Sequence, residues 1–294
     1  MRQVVANLWG GMGNQMFQYA AAYALARQKS VPLTLDLTWF EAVAGSVGGV
    51  TARNYALSPF ALPVSLRSSF PARLPSRFER AWRRIFPARA QAHIYNESAF
   101  TYDAALFDRT VPVTLNGYFQ SYHYFEAVAQ DIRDQFSTPR NLSEASRAML
   151  DKIRTVDAVC IHVRRGDYVT DAAANAFHGL CGLDYYHRGL VYLENQVSAK
   201  RECFVFSDDP QWVRENMHLP LPMTVVDING PEAAHEDLWL MAACRDFVIA
   251  NSSMSWWGSW LGAHPQKQVI APLKWFQDDR HDTRDLIPPD WVRL

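Results

Sequence analysis

The sequence has little of what marks several common classes of protein. Only four of its 294 residues are cysteine, and none forms a C-x-x-C pair, so buried free thiols are favoured over a disulfide framework. No run of eighteen apolar residues is present, which argues against a membrane-spanning helix, and the first apolar run is too short for a signal peptide. The net charge of -1 indicates no general affinity for nucleic acid. We therefore expect a globular cytoplasmic protein that binds no nucleic acid.

What the chain does contain is a regular alternation of strands and helices. Strands are predicted at residues 3–8, 33–37, 111–117, 158–163, 203–207, 223–228, 246–250 and 268–272. Helices are predicted at residues 15–27, 121–136, 144–153, 184–198, 210–217, 234–243 and 253–262. This order predicts a parallel, doubly wound α/β fold. We place a boundary near residue 140, which gives two Rossmann-like domains, residues 1–140 and 141–294.

The stretch from residue 41 to about 110 shows one readable element, a basic amphipathic helix near residues 77–86. Its arginines lie opposite an apolar stripe. A packed helix with a solvated face has this pattern, and so does a helix that rests on an anionic membrane. Peripheral contact with the inner face of a membrane therefore stays open.

Polar side chains collect where the strands of the second half end. The apolar strand at 158–163 is followed at once by two arginines, and arginine offers a planar, permanently charged fork that matches phosphate oxygens. The full set is Arg164, Arg165, Asp167, Ser207, Asp208, Asp209, Asp227, Asn229, Asn251, Ser252, Ser253 and Ser255. Because ligands of open α/β sheets bind at the carboxyl ends of the strands, we expect a phosphate-bearing substrate at this edge.

The helix predicted from residue 253 begins in a run of asparagine and serine. Such a start can be an ordinary helix cap, or it can offer free N–H groups and hydroxyls to an anion. With an arginine pair on a neighbouring strand end, the second interpretation becomes a clamp for a diphosphate.

Three further positions leave alternatives open. Asp208 and Asp209 could hold a metal ion, but they lack the D-x-D spacing, and Asp209 before Pro210 is a good helix cap. Asp208 would then be free to bind a base or a ribose. His162 either points out beside Arg164 or is a core histidine.

The glycine turn at residues 10–13 departs from the G-x-G-x-x-G spacing, which weakens a dinucleotide-dependent oxidoreductase as an interpretation. A turn of this kind lets a substrate lie against the backbone. Asn14, which follows the turn, could cap the next helix, face a ligand, or do both.

Together these motifs resemble glycosyltransferase family 11, the bacterial α-1,2-fucosyltransferases. The matching segments are residues 10–20 (GGMGNQMFQYA), 162–169 (HVRRGDYV), 204–209 (FVFSDD) and 246–261, which includes NSSMSWWG. The resemblance implies a GT-B-type architecture of two Rossmann-like domains facing a cleft, with an acceptor-side domain at 1–140 and a GDP-fucose-binding domain at 141–294.

The resemblance also implies an inverting reaction without metal or other cofactor. L-fucose would pass from GDP-β-L-fucose to the 2-hydroxyl of a terminal galactose in an oligosaccharide, which in bacteria is often lipid-linked. Carried over by position, the implied donor-binding residues are His162, Arg164, Arg165, Asp208, Asn251, Ser252, Ser253 and Ser255. Arg164, Asp167 and Asn14 are the implied catalytic residues.

The general base and the acceptor are not resolved by the sequence. Asp167, Asp171 and His178 are alternative bases, and Asp167 could instead pair with Arg165. The competing functions are transfer from another GDP-sugar, transfer to a different acceptor such as a protein, and non-catalytic binding of carbohydrate. The last is weakened because Trp239, Trp256, Trp257 and Trp260 fall on predicted helices, where core packing is expected.

Overall fold

The computed structural model describes residues 2–44, 54–67, 93–137, 142–166, 169, 172–194, 201–278 and 280–294. The chain divides into two compact units. One comprises Met1–Gln135 and Arg284–Leu286, and the other comprises Phe136–Thr283 and Ile287–Leu294. The predicted boundary at residues 140 and 141, the basic helix near 77–86, and the candidate bases Asp167 and Asp171 all lie outside the described residues.

The N-terminal unit is built on a five-stranded sheet whose pairings are all parallel. Its strands are β1 (Val4–Asn7), β2 (Leu33–Asp36), β3 (Ser65–Arg67), β4 (Ile94–Asn96) and β5 (Val113–Asn116), in the spatial order β3-β2-β1-β5-β4. Its helices are α1 (Met12–Lys29), α2 (Thr38–Ala44) and α3 (Ala129–Gln135), with short 3-10 helices at Ala104–Asp108, Tyr122–Tyr124 and Glu126–Val128.

Three details of this unit differ from the prediction. Helix α1 starts at Met12, with Gly11 as its cap and no side-chain cap bond, so the prediction that Asn14 caps the helix is wrong. The helix predicted at 121–136 is α3 preceded by two 3-10 turns. Strands β3 and β4 were not predicted, because three-residue edge strands are too short to show a period of two.

The C-terminal unit contains a six-stranded parallel sheet. Its strands are β6 (Asp157–Val163), β7 (Arg201–Ser207), β8 (Met223–Val226), β9 (Asp246–Val248), β10 (Val269–Ala271) and β11 (Val292–Arg293), in the order β11-β10-β9-β6-β7-β8. Its helices are α4 (Glu144–Arg154), α5 (Ala172–His178), α6 (Leu183–Glu194), α7 (Pro210–Asn216), α8 (Ala234–Ala242) and α9 (Ser253–Leu261), with a 3-10 helix at Pro231–Ala233. Ser143 caps α4 by accepting from the N–H of Ser146 at 3.2 Å.

This sheet has the Rossmann strand order, and its central strands are buried. β6 and β7 are almost continuously apolar and buried, which is typical of central strands covered by helices on both faces. Val159 and Ile161 of β6 pack with Leu190 of α6 and Val248 of β9 in one core. The predicted α/β, GT-B-type fold class with two Rossmann-like domains is confirmed by the two parallel sheets. The packed core beneath the strand ends fixes the positions of the loops that follow these strands.

Candidate functional site

The candidate site lies at the carboxyl edge of the C-terminal sheet, where the strand order reverses. β6 pairs with β7 on one side and with β9 on the other, so the reversal falls between β6 and β9. Ligands of doubly wound sheets bind at such a switch point. Since Ile161 is opposite Val248, three further residues bring Arg164 and Asn251 to the same level of the sheet edge. The predicted neighbourhood of the arginine pair and the start of α9 is therefore present.

Arg164 is paired with Asp208, which follows the neighbouring strand β7. Nη1 of Arg164 lies 2.7 Å from Oδ2 of Asp208, and the two side chains are 21% and 26% exposed. The other oxygen of Asp208 accepts from the N–H of Arg165 at 2.8 Å. Asp208 was expected near a nucleoside. In the structure it holds the arginine loop in place.

Gly166 makes this pairing sterically possible. A Cβ atom at residue 166 would lie only 2.3 Å from Oδ2 of Asp208. Gly166 is not among the described residues with positive φ, so the requirement for glycine comes from the close approach and not from backbone strain.

Arg165 is held by α7. Its Nε donates to Oδ2 of Asp209 at 3.3 Å, and its guanidinium lies over the ring of Trp212, 3.8 Å from the centroid. Asp209 also accepts from the N–H of Trp212 at 3.1 Å, which confirms that it caps α7. The stacking partner Trp212 was not predicted. The sequence signal for Trp212 is weak, because it consists only of an aromatic residue in the first turn of a helix that begins beside the site.

His162 is a buried histidine close to the charged pair. It is 6% exposed, and burial lowers the pKa of its imidazole to about 4, while Asp208 raises it and Arg164 lowers it further. The imidazole is therefore neutral near pH 7. Its Nδ1 has no hydrogen-bond partner within the described part of the chain. Of the two interpretations of His162, the core histidine is the one that the structure shows.

The start of α9 combines half-buried side chains with buried side chains that are bonded inside the protein. Ser252 is the cap residue and makes no side-chain cap bond, and both Ser252 and Ser253 are half-buried. The first N–H groups of a helix have no acceptor within the helix, so this end can receive an anion. Ser255 instead is buried and donates its hydroxyl to the carbonyls of Ala250 and Ser252.

Asn251 also uses its side chain inside the protein. Its amide donates to the carbonyl of His178 at 2.7 Å and to that of Trp275 at 3.2 Å. It thereby ties the loops that follow α5 and β10 to the end of β9. The ring of His178 packs against Phe177 and Phe276. The structure thus brings Ser252 and Ser253 to the edge beside the arginines, and gives Asn251 and Ser255 a role in holding the turn.

In the N-terminal unit, Asn14 lies in the first turn of α1. Its Oδ1 accepts from Nε2 of Gln120 at 2.8 Å, and the side chain is half-buried. The turn before it has a left-handed residue, Gly10, with φ of 77°. Gln120, which orients Asn14, lies 106 residues away and could not be predicted from the sequence.

A second polar edge was missed by the sequence analysis. Asn7, Asn116 and Asn96 end three neighbouring strands, β1, β5 and β4, and lie in register. Nδ2 of Asn7 donates to Asn116 at 3.5 Å, and Nδ2 of Asn116 donates to Asn96 at 2.7 Å. An asparagine at a strand end is a signal that the sequence offers, but only the pairing order shows that the three meet.

Among the residues that the structure describes, no group of three or more histidine, cysteine, aspartate or glutamate side chains is arranged to hold a metal ion. None of the helices in the described ranges is long and apolar enough to cross a membrane.

Comparison with known proteins adds four similarities. The sequence profile described as glycosyl transferase family 11 matches residues 92–294. The α-1,2-colitosyltransferase of Escherichia coli is 32% identical over 296 residues, 100% of this chain and 99% of that protein. The galactoside 2-α-L-fucosyltransferase of Caenorhabditis elegans is 31% identical over 195 residues, 60% of this chain and 51% of that protein. The solved structure of NodZ α-1,6-fucosyltransferase soaked with GDP-fucose has a TM-score of 0.48 and 15% identity, over 88% of this chain and 92% of that chain.

Proposed function

Because the chain belongs to glycosyltransferase family 11 and is therefore a glycosyltransferase, we propose that it transfers L-fucose from GDP-β-L-fucose to the 2-hydroxyl of a terminal galactose. The reaction inverts the configuration and forms an α-1,2 linkage. The bond between fucose C1 and the β-phosphate oxygen breaks, and the bond between C1 and galactose O2 forms. The proton of O2 leaves to a base, for which Asp167, Asp171 and His178 are the candidates.

One observation carries the proposal: a guanidinium and a helix start flank the switch point of the C-terminal sheet. Arg164 follows β6, and Ser252 opens α9 after the adjacent strand β9. As the sugar leaves, negative charge grows on the GDP oxygens. Donors that are already aimed at this position stabilise the transition state more than the bound donor sugar. This chemistry needs no metal ion in the proposed mechanism.

The other residues around Arg164 act by positioning. Asp208 fixes the direction of its guanidinium, and Asp209 with Trp212 hold Arg165 beside it. His162 is neutral near pH 7, so it adds no positive charge beside Arg164. Asn14, oriented by Gln120, is proposed to face the reacting centre.

Colitose is a second candidate for the transferred sugar. It is fucose without the 3-hydroxyl, and the relative named for it matches the whole chain. The two donors differ by a single hydroxyl, which a site built to hydrogen-bond it would distinguish strongly. Side-by-side kinetics with GDP-fucose and GDP-colitose on a terminal galactoside therefore decide between them.

The proposal is tested with the purified full chain. Transfer from GDP-fucose to a galactoside is measured by mass spectrometry, with and without EDTA. Arg164→Ala should lower kcat by about 10²–10³. Arg164→Lys should also fail, because a point charge does not replace the fork. Arg188→Ala, which removes an exposed arginine of α6, is the matched control and should leave kcat unchanged. An Arg164→Ala enzyme with most of its kcat would refute the role.

A further inference from the structure

We propose that Glu97 is a positioning residue for the transfer reaction. Through the turn at residues 117–120 it holds Gln120, and through Gln120 it fixes the direction of the Asn14 amide. The inference rests on the proposed function, because that function places Asn14 at the reacting centre. All the residues concerned belong to the N-terminal unit.

The carboxylate of Glu97 binds two consecutive backbone N–H groups. Glu97 directly follows β4, and the turn that it contacts directly follows β5. Oε2 accepts from the N–H of Tyr118 at 2.6 Å, and Oε1 accepts from that of Phe119 at 2.9 Å. The N–H of Glu97 itself donates to the carbonyl of Asn116 at 2.9 Å. Since hydrogen bonds to an ionised acceptor are about twice as strong as neutral ones, Glu97 ties the turn firmly to the end of β4.

The turn has a conformation that its own sequence does not favour. Phe119 has a φ of 54°, in the left-handed region that bulky residues rarely adopt. Such a conformation persists only where the surroundings determine it. The ring of Phe119 is buried edge-to-face against Tyr124, with the ring centroids 5.5 Å apart. The ring contact thus fixes the side chain of Phe119, and Glu97 fixes its N–H.

Gly117 leaves the room that this contact needs. A Cβ atom at residue 117 would lie 2.3 Å from Cβ of Glu97 and 2.7 Å from its Oε2. Any larger residue at this position would push the carboxylate away from the two N–H groups. A methyl group at residue 117 therefore displaces Glu97 without changing its charge.

The residue that the turn delivers is Gln120, which contacts Asn14. Nε2 of Gln120 donates to Oδ1 of Asn14 at 2.8 Å, and Gln120 is buried. Because Oδ1 is engaged, Asn14 presents its amide N–H groups as donors. The amide nitrogen lies over the glycine turn, where a Cβ atom at residue 10 would be 3.0 Å from it. Loss of the Glu97 bonds would release Phe119 and Gln120 together, so Glu97 acts on the reaction through Gln120 and Asn14.

The experiment combines transfer kinetics with a signal that does not depend on transfer. Glu97→Gln keeps the shape of the side chain but turns an NH₂ group towards an N–H donor. It should lower kcat about 10- to 100-fold, with unchanged GDP affinity by calorimetry. Glu126→Gln, which changes an exposed glutamate of the same unit, is the matched control and should leave kcat unchanged.

The signal is the side-chain amide resonance of Asn14 in a chain with isotope-labelled asparagine. It is assigned by its absence from Asn14→Ala. This resonance should shift in Glu97→Gln as it does in Gln120→Ala, and it should stay in place in Glu126→Gln. An unchanged Asn14 resonance in Glu97→Gln would overturn the inference.

A double-variant cycle separates positioning from a merely structural role. If Glu97 acts through Asn14, Glu97→Gln should change kcat by less than about twofold in a chain that already carries Asn14→Ala. An equal loss in both backgrounds would overturn the inference. So would a Glu97→Gln or an Asn14→Ala enzyme with wild-type kcat.

Stability and the proposed function are controlled separately. If thermal melts show that Glu97→Gln does not fold, Gly117→Ala takes its place in the cycle, because it displaces the same carboxylate. Loss of the fold in both variants would show a structural role and overturn the inference. A wild-type chain that transfers neither fucose nor colitose, but whose Asn14 resonance still responds to Glu97→Gln, would refute the proposed donors and support the positioning of Asn14 by Glu97.

Discussion

Replacing Gly166 by alanine tests whether Asp208 positions the guanidinium of Arg164 for its proposed catalytic role. The new methyl carbon would lie 2.3 Å from Oδ2 of Asp208, roughly 1 Å closer than ordinary van der Waals contact allows. If the carboxylate yields by that amount, the 2.7 Å contact with Nη1 of Arg164 stretches beyond hydrogen-bond range. A displacement of about 1 Å near a reacting centre costs on the order of 10² in rate, so kcat should fall by about that factor.

The fold should survive this change. The pair is partly exposed and contributes about 1 kcal/mol or less to the free energy of unfolding. Gly182→Ala is the matched control, because a Cβ at residue 182 meets no atom within 4 Å. Steady-state transfer kinetics and thermal melts of both variants are the assay.

Two results would contradict the reasoning. One is a Gly166→Ala enzyme whose kcat stays within twofold of the wild type. Gly166→Ala and Asp208→Ala act on the same pair, so the double variant should be little worse than the worse single variant. The other contradicting result is a double variant whose loss of activity is the full sum of the two single losses.

Three further predictions concern the surroundings of the site. Burial lowers the pKa of His162 from 6.5 to about 4. Between about pH 4 and pH 6.5 the unfolded chain therefore binds a proton at this residue that the folded chain does not. The His162 contribution to stability is therefore fully present above pH 6.5 and falls with pH, by about 2–3 kcal/mol at pH 4.5, and the variant His162→Gln should lack this slope in urea unfolding. Trp212→Ala removes the ring under Arg165 and should weaken GDP binding about three- to tenfold by calorimetry, whereas Trp212→Phe should retain most of it. Asn251→Ala leaves two carbonyls without their donor and should lower the free energy of unfolding by about 1–3 kcal/mol, and an unchanged melting temperature would show that the amide does not hold the loops.

Features that depend on a few neighbouring residues could be predicted from the sequence. The capping of α7 by Asp209 before proline is one, and the buried strand that ends at Val163 before two arginines is another. Each follows from local rules of backbone conformation and hydrophobic period. The short strands β3 and β4 could not be predicted by these rules, nor could the start of α1 at Met12 instead of Gln15.

Partners that lie far apart along the chain could not be predicted. The sequence suggested that Asp208 was free, but 43 residues separate it from the N–H of Arg165 to which it is bonded. The amide of Asn251 reaches carbonyls that belong to other loops. No local pattern specifies such contacts, because they depend on how the strands are ordered.

The sequence by itself determined that the chain folds into strand–helix units and that arginines, serines and asparagines end its strands. Those properties follow from hydrophobic periodicity and from the chemistry of the residues at each strand end. Only the tertiary structure decided which strand ends become neighbours, so that Arg164 lies beside Asp208 and Asn7 lies beside Asn116, 109 residues away. Parallel strands pair through connections that cross the sheet, and the packing of the whole core therefore sets their order.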